Sequence, residues 1–417
     1  MKRLAVSIPL CLLLINGTIF LWAVPKANIG PSPALSKEQW QEDLQYLAKE
    51  LPRRHKNAFH TVSREQFERA VAELSAAIPS LQDHEIQVGL MRIVAMVGDA
   101  HTELSGFGGT FRRFPLNLYW FGSELRVVRT TAGYKRALGA RVVQIGEVSI
   151  NDAAGRIDQL VAHENEYWVR LLSAGFMPYA EILHALKIVP DLSRGRWTFE
   201  DREGRFSLDI DTIYPNDKVE WLDASKEFPL YRQRPGEQFW FTYLEGAQTV
   251  YVNFRGYRDS FSKQAEELLN FVNGHPIKRL VIDVRQNRGG DFTKVRGQLL
   301  PGLKQVTVLR QPGAFFVITG RATQSAAVVN ALDFRKEMKA ILVGEPTGGR
   351  PNGYSEHGEF KLPNSGLTVS YSSRYYKFQD EDTPAVMPDK VIEPAWEAYQ
   401  AGRDPVMEWI LVSPSSK

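Results

Sequence analysis

The feature that most constrains this chain is a strict alternation across residues 248–343. Four short apolar runs, at 250–255, 280–284, 315–319 and 340–343, are separated by amphipathic stretches at 260–272 and from 325 to about 338. Short apolar runs with no polar face fit strands buried on both sides, and the helical stretches between them supply the covering layers. The pattern predicts an α/β layered domain whose chemistry sits at the strand ends.

Two other textures precede it. Residues 36–98 carry three amphipathic helical runs, the first opened by Ser36 and the second holding Phe67, Val71 and Leu74 on one side. Past Gly98 the chain turns to β-like runs at 114–120, 124–130, 140–145 and 206–213, interrupted by helical stretches at 151–162 and 179–188. Residues 138–153, LGARVVQIGEVSINDA, have the strand, turn and helix order of a PDZ-like module; a plain α+β insertion is the alternative.

The N-terminus is a different material. Met1, Lys2 and Arg3 lead into an almost uncharged stretch over residues 4–24, the pattern of an export signal, with Ala23 and Ala27 as small residues for a cleavage site. The stretch is also long enough to serve as a membrane anchor. Both readings place the protein outside the cytoplasm: periplasmic, extracellular or membrane-anchored. The one cysteine, Cys11, lies inside this segment. A mature chain therefore has no disulfide, no thiol nucleophile and no Cys-ligated metal. With 43% hydrophobic and 24% charged residues and a formal charge of +3 over 417 residues, the chain is globular in composition and has no basic run of the kind that binds nucleic acid.

Three elements carry potential chemistry. Ser325 lies in GRATQSAA, after an apolar strand and at the start of a helix, where free N–H groups favour a developing oxyanion; a plain helix cap is the competing use. The context is not GxSxG, so a nucleophile elbow of the α/β-hydrolase kind is unsupported. The run VIDVRQNRGG ends a buried strand in Gly289-Gly290, which lets backbone approach a substrate closely or simply makes a turn. His101, in VGDAHTEL, stands at the junction of the helical and β regions, as a base or as a structural histidine. His163 and His357 lack metal-ligand spacing and read as surface residues, and no cofactor motif is present. Tyr375, Tyr376 and Phe378 fit either a substrate groove or a strand core.

Taken in order, VGDAHTEL, VIDVRQNRGG, GRATQSAAVV and AILVGEPTGG resemble the C-terminal processing (tail-specific) family of serine peptidases, and within it the tricorn-like branch. The likeness runs over residues 36–405, including the closing MPDKVIEP and QAGRDPVMEWIL. It implies a crotonase/ClpP-like α/β core with an N-terminal helical domain and a middle PDZ-like α+β module. It also implies Ser325 as nucleophile and an oxyanion hole from Gly289 or Gly290 with the N–H of Ala326. The divisions that follow are 1–24 signal or anchor, 25–35 linker, 36–104 helical domain, 105–215 PDZ-like module, 216–405 protease core and 406–417 tail.

The family has two forms of base. One takes a lysine from a GxTxGK context, and here that position is Arg350, a guanidinium that stays protonated and cannot accept the serine proton. The tricorn-like form uses a histidine in DxHT, which His101 supplies. Its orienting carboxylate precedes a Pro-Asp pair near the C-terminus, so Asp380, Glu381 and Asp382 are candidates, with spacing favouring Asp382. The family also has a serine just before the histidine, where this chain has Ala100. The expected activity is hydrolysis of peptides or proteins through an acyl-enzyme on Ser325. The competing readings are a non-catalytic binder of peptides or apolar ligands on the same fold, and a small-molecule esterase or amidase.

Overall fold

A computed structural model describes residues 35–413 apart from Gly108; the export or anchor segment falls outside them. Helices α1 (Lys37–Arg54), α2 (Arg64–Ala77) and α3 (Asp83–Ala95) form where expected. The first two each open on a reciprocal cap, Ser36 with Gln39 and Ser63 with Gln66, which satisfies two orphan N–H groups at each start. Their apolar stripes, Trp40, Leu44 and Leu47 on α1, Phe67 and Val71 on α2, and Leu90 and Ile93 on α3, share one core. Trp40 Nε1 donates to Asp83 Oδ1 at 3.0 Å and ties α1 to the start of α3.

After α3 come the loop bearing His101 and the short strand β1 (Leu104–Ser105), then β2 (Leu116–Phe121), β3 (Glu124–Thr130), β4 (Arg141–Ile145) and β5 (Val148–Ser149). Helices α4 (Ile150–Asp158), α5 (Glu166–Phe176) and α6 (Ala180–Ala185) follow, then β6 (Arg194–Asp201), β7 (Gly204–Asp211) and β8 (Leu222–Asp223). The sheet runs β2-β3-β4-β6-β7 and is antiparallel throughout, and its core is continuous with that of the helical domain. Helix α5 and strand β6 are absent from the sequence-based expectation.

The third layer begins with β9 (Phe239–Leu244) and β10 (Thr249–Phe254). It continues through α7 (Phe261–Gly274), β11 (Arg279–Asp283), the short helices α8 (Phe292–Lys294) and α9 (Leu300–Leu303), and β12 (Phe315–Thr319). Helix α10 (Ala326–Met338) and β13 (Ile341–Gly344) follow. Two long strands come next, β14 (Asn352–Lys361) and β15 (Thr368–Lys377), then β16 (Lys390–Val391), α11 (Trp396–Gln400) and α12 (Pro405–Val412). The six-stranded sheet has the order β16-β13-β12-β11-β10-β9, parallel except for β9. Strands β10, β11 and β12 are buried along their whole length, which is why they lack polar alternation. One face packs on α7 and α10. The other, with Tyr251, Val281 and Phe316, is covered by Val406, Met407 and Ile410 of α12. Residues 405–412 are thus a covering helix where a tail was expected, because bare apolar strand faces need that cover.

The β14–β15 hairpin leaves this layer. It joins β1 in a separate three-stranded sheet ordered β1-β15-β14. Asp43, fully buried on α1, accepts the N–H groups of Asn364 and Ser365 at the hairpin turn, both at 2.8 Å. The hairpin and the helical domain are therefore one platform, and the His101 loop lies on it. Among the described residues no helix is long and apolar enough to cross a membrane.

Candidate active site

The turn that carries Ser325 is fastened from beneath. Thr323 Oγ1 accepts the N–H of Gly320 at 3.0 Å and donates to Val284 O at 2.9 Å, and the N–H of Gln324 donates to Asn287 O at 3.0 Å. The turn after β12 is so bonded to the loop after β11. Ser325 takes the N-cap position of α10 with φ 52° and ψ −124°, and its side chain makes no capping hydrogen bond. A non-glycine residue at positive φ costs on the order of 1–3 kcal/mol and persists only where surroundings fix it. Capping is therefore not what the hydroxyl does here.

The two glycines divide their work. Gly289 has φ +103°, and a Cβ placed on it would lie 2.6 Å from Ser325 Cβ and 3.2 Å from Ala326 N, so only glycine fits against the serine. Its N–H donates to Asn287 Oδ1 at 2.9 Å. A Cβ on Gly290 would meet the Tyr257 ring at 2.6 Å, and the Tyr257 hydroxyl reaches Asn330 Oδ1 on α10 at 2.6 Å. Among the described residues neither the N–H of Gly290 nor that of Ala326 has an acceptor.

His101 sits in a loop organised by Asp99, which is almost fully buried. Asp99 Oδ1 accepts the backbone N–H of His101 at 3.1 Å and the Ser372 hydroxyl at 2.7 Å; Oδ2 accepts from Thr102 Oγ1 at 2.8 Å and pairs with His55 Nε2 at 2.8 Å. His55 Nδ1 accepts the N–H of Asn57 at 2.9 Å, so the imidazole proton is on Nε2 and is directed at Asp99. Burial pushes the Asp99 carboxyl up, but the hydrogen bonds from His55 and Ser372 outweigh it and the net displacement is downward. An ionised Asp99 thus anchors the loop from α3 to β15. His101 Nε2 lies 3.2 Å from Ser355 Oγ on β14.

Asp382 lies beside Arg350. Its Oδ1 pairs with Arg350 Nη2 at 2.5 Å on the exposed side. Glu381 offers its backbone carbonyl to Asn352 Nδ2 at 3.0 Å. The carboxyl group that reaches the inner side of Arg350 is Glu164, which sequence reasoning missed. Burial, then the nearby Asp99 charge, raise its pKa from 4.5 to about 8, against the pull of Arg350 and of the backbone of Arg350 and Ala100. Its Oε2 is buried without a hydrogen-bond partner among the described residues.

Trp168 on α5 gathers the remaining pieces. It packs with Ala100, the neighbour of His101, in a small cluster with Val161, Val169 and Leu172. The Arg288 guanidinium lies over its ring at 5.3 Å from the centroid. A Cβ on Gly348 would come within 2.9 Å of its Cε3. The His101 loop, the glycine loop and the segment leading to Arg350 therefore meet at the cluster around Trp168. Asn165, whose Oδ1 caps α5 through the N–H of Trp168 at 3.0 Å, also donates to Thr347 O and Pro384 O, at 3.2 and 2.8 Å. The available signal was an Asn before an amphipathic run at 166–176.

No protein-family model and no curated protein sequence matches this chain. Solved structures do. Mature CPAF complexed with lactacystin superposes with a TM-score of 0.61 at 11% identity, over 90% of this chain and 97% of that one. A serine-to-alanine mutant of CPAF gives 0.62 at 10% identity, over 91% and 99%. The photosystem II D1 C-terminal processing protease overlaps more loosely, with a TM-score of 0.40 at 14% identity over 88% of this chain and 98% of that one. At these identities the finding concerns architecture: the chain has the mixed α/β fold of CPAF along nearly its whole described length.

Proposed function

We propose that the protein is a serine peptidase of the tail-specific, tricorn-like type. The observation that carries this reading is the joint between Gly289 and Ser325. A strained serine whose hydroxyl caps nothing faces a glycine that tolerates no side chain, beside free N–H groups at a helix start. In the proposed reaction Ser325 Oγ attacks the scissile carbonyl while His101 takes its proton and later returns it to the leaving amine. The N–H groups of Ala326 and Gly290 receive the oxyanion, with Gly289 shaping the approach while its own N–H is held by Asn287. Water then resolves the acyl-enzyme by the reverse proton path. Asp99 takes the orienting part expected of Asp382: it holds the His101 backbone and places a fixed negative charge beside the imidazolium that forms. No metal or cofactor is needed for these steps.

The same reading makes the six-stranded layer a crotonase/ClpP-like core and the 105–215 region a PDZ-like module, and it makes the N-terminal segment an export signal or anchor. A peptide or protein is the substrate. Fluorophosphonate labelling tests the nucleophile. Wild type should be labelled and Ser325→Ala should not, with turnover reduced by several orders of magnitude and an unchanged melting temperature. Because mature CPAF was solved with lactacystin, that compound is a second probe, and adduct formation in Ser325→Ala would refute the assignment.

A further inference from the structure

Several arginines around the site are paired with carboxylates. Arg285 pairs with Asp283 and Asp404, Arg321 with Glu345, and Arg350 with Asp382. Arg288 makes no hydrogen bond and no ion pair within 4 Å among the described residues. Its guanidinium lies over the Trp168 ring, with the Glu103 charge at longer range. Arg288 is half-buried, and a partly desolvated guanidinium without a carboxylate is a ready partner for an anion. Burial accordingly pulls its pKa downward.

The position gives this cation a use. Arg288 immediately precedes Gly289, whose backbone abuts Ser325, and the apolar cluster that contains the indole under the guanidinium also takes Ala100, next to His101. The group therefore lies between the loop that carries the nucleophile and the loop that carries the base. Its planar fork suits two-point recognition of a carboxylate, and the aromatic face beneath it fixes the orientation of that fork.

We propose that Arg288 is a specificity determinant that binds a carboxylate of the substrate peptide within a few residues of the scissile bond. This rests on the peptidase reading above. The carboxylate comes either from an Asp or Glu side chain or from the peptide's free C-terminus; both present the same two oxygens. A charge-assisted pair of this kind corresponds to roughly a 10- to 100-fold preference over a neutral counterpart.

The test is cleavage of a proteome-derived peptide library, read by mass spectrometry, with one half of the library amidated at its C-termini. Wild type should favour bonds with Asp or Glu at one fixed position, or bonds at a fixed distance from a free C-terminus that amidation abolishes; the two patterns identify the source. Arg288→Gln should bring the ratio of acidic to neutral cleavage near one, and Arg288→Lys should keep an intermediate ratio. The proposal is overturned if wild type shows neither preference, or if Arg288→Gln slows all peptides equally, which is the signature of a role in oxyanion stabilisation. Absence of both library cleavage and fluorophosphonate labelling in wild type removes the peptidase reading itself, and this proposal with it.

Discussion

Glu164→Gln separates the electrostatics of the site from its chemistry. The folded carboxyl releases its proton at about 8, against 4.5 ordinarily. Between those values the folded state holds a proton that the unfolded state has lost, so for this group stability falls as pH rises from about 4.5 to about 8. At about 1.36 kcal/mol per pH unit, the full difference approaches about 5 kcal/mol above pH 8. Glutamine removes the titration but puts an amide where one carboxylate oxygen now stands, beside the buried backbone of Ala100 and Arg350, which returns about 1 kcal/mol. The variant should therefore be about 3–4 kcal/mol more stable than wild type at pH 9 and about 1 kcal/mol less stable near pH 4.5. With about 2.1 cal/mol/K of unfolding entropy per residue, a chain of 417 residues shifts its melting temperature by roughly 4 °C for that gain. Melting curves for both proteins from pH 5 to pH 9 read it directly. The diagnostic is the slope: a difference that stays constant with pH means Glu164 is ionised throughout, and the account of its environment fails.

Three further outcomes follow from the geometry. An imidazole base gives kcat/KM an acid limb, and His101→Ala should lose both most of the activity and that limb; a retained profile at near-normal turnover would place the base elsewhere. Asp99→Asn should lower kcat at least tenfold, because it discharges the group that anchors the His101 loop, whereas Asp382→Asn, which acts on the exposed side of Arg350, should change kcat less than threefold; the reverse ranking restores Asp382 as the orienting carboxylate. Gly289→Ala should reduce labelling of Ser325 more than a hundredfold because its Cβ has no room, while Gly297→Ala, which meets nothing within 4 Å, should label as wild type does.

The parts of this architecture legible in the sequence are those that one segment determines alone. Buried strands such as Phe315–Thr319 announce themselves by uninterrupted apolar residues, and the reciprocal caps at Ser36 and Ser63 mark helix starts. Ser325 and Gly289-Gly290 are local in the same sense, since a strand end and a helix start define each. Glu164, by contrast, is one acid among many until folding places it between Ala100 and Arg350. Asp382 was favoured by spacing along the chain, and spacing cannot report that Arg350 takes its charge. The hairpin was read with the core because it lies within the core's stretch of sequence. Only its pairing with β1 and the buried Asp43 contact reveal that it belongs to the helical platform.

That division places the proposed nucleophile and the proposed base on different bodies. Ser325 belongs to the six-stranded layer, His101 to the platform of helices and hairpin, and the middle module touches both through α5. Trp168, buried to 7% exposure, is the side chain at that joint. Trp168→Ala should cost about 3–5 kcal/mol of stability, as a large buried side chain does. A misplacement of about 1 Å between reacting groups can lower turnover by about a hundredfold. Activity should therefore fall by at least that factor at temperatures where the variant remains folded, while fluorophosphonate labelling, which needs less of the substrate-positioning surface, falls less. Trp168→Phe retains an aromatic face for Arg288 and most of the packing, and should recover at least a tenth of wild-type kcat/KM. If Trp168→Ala, confirmed as folded by its melting curve, hydrolyses peptides within threefold of wild type, the indole is ordinary core and the two bodies are aligned by other contacts.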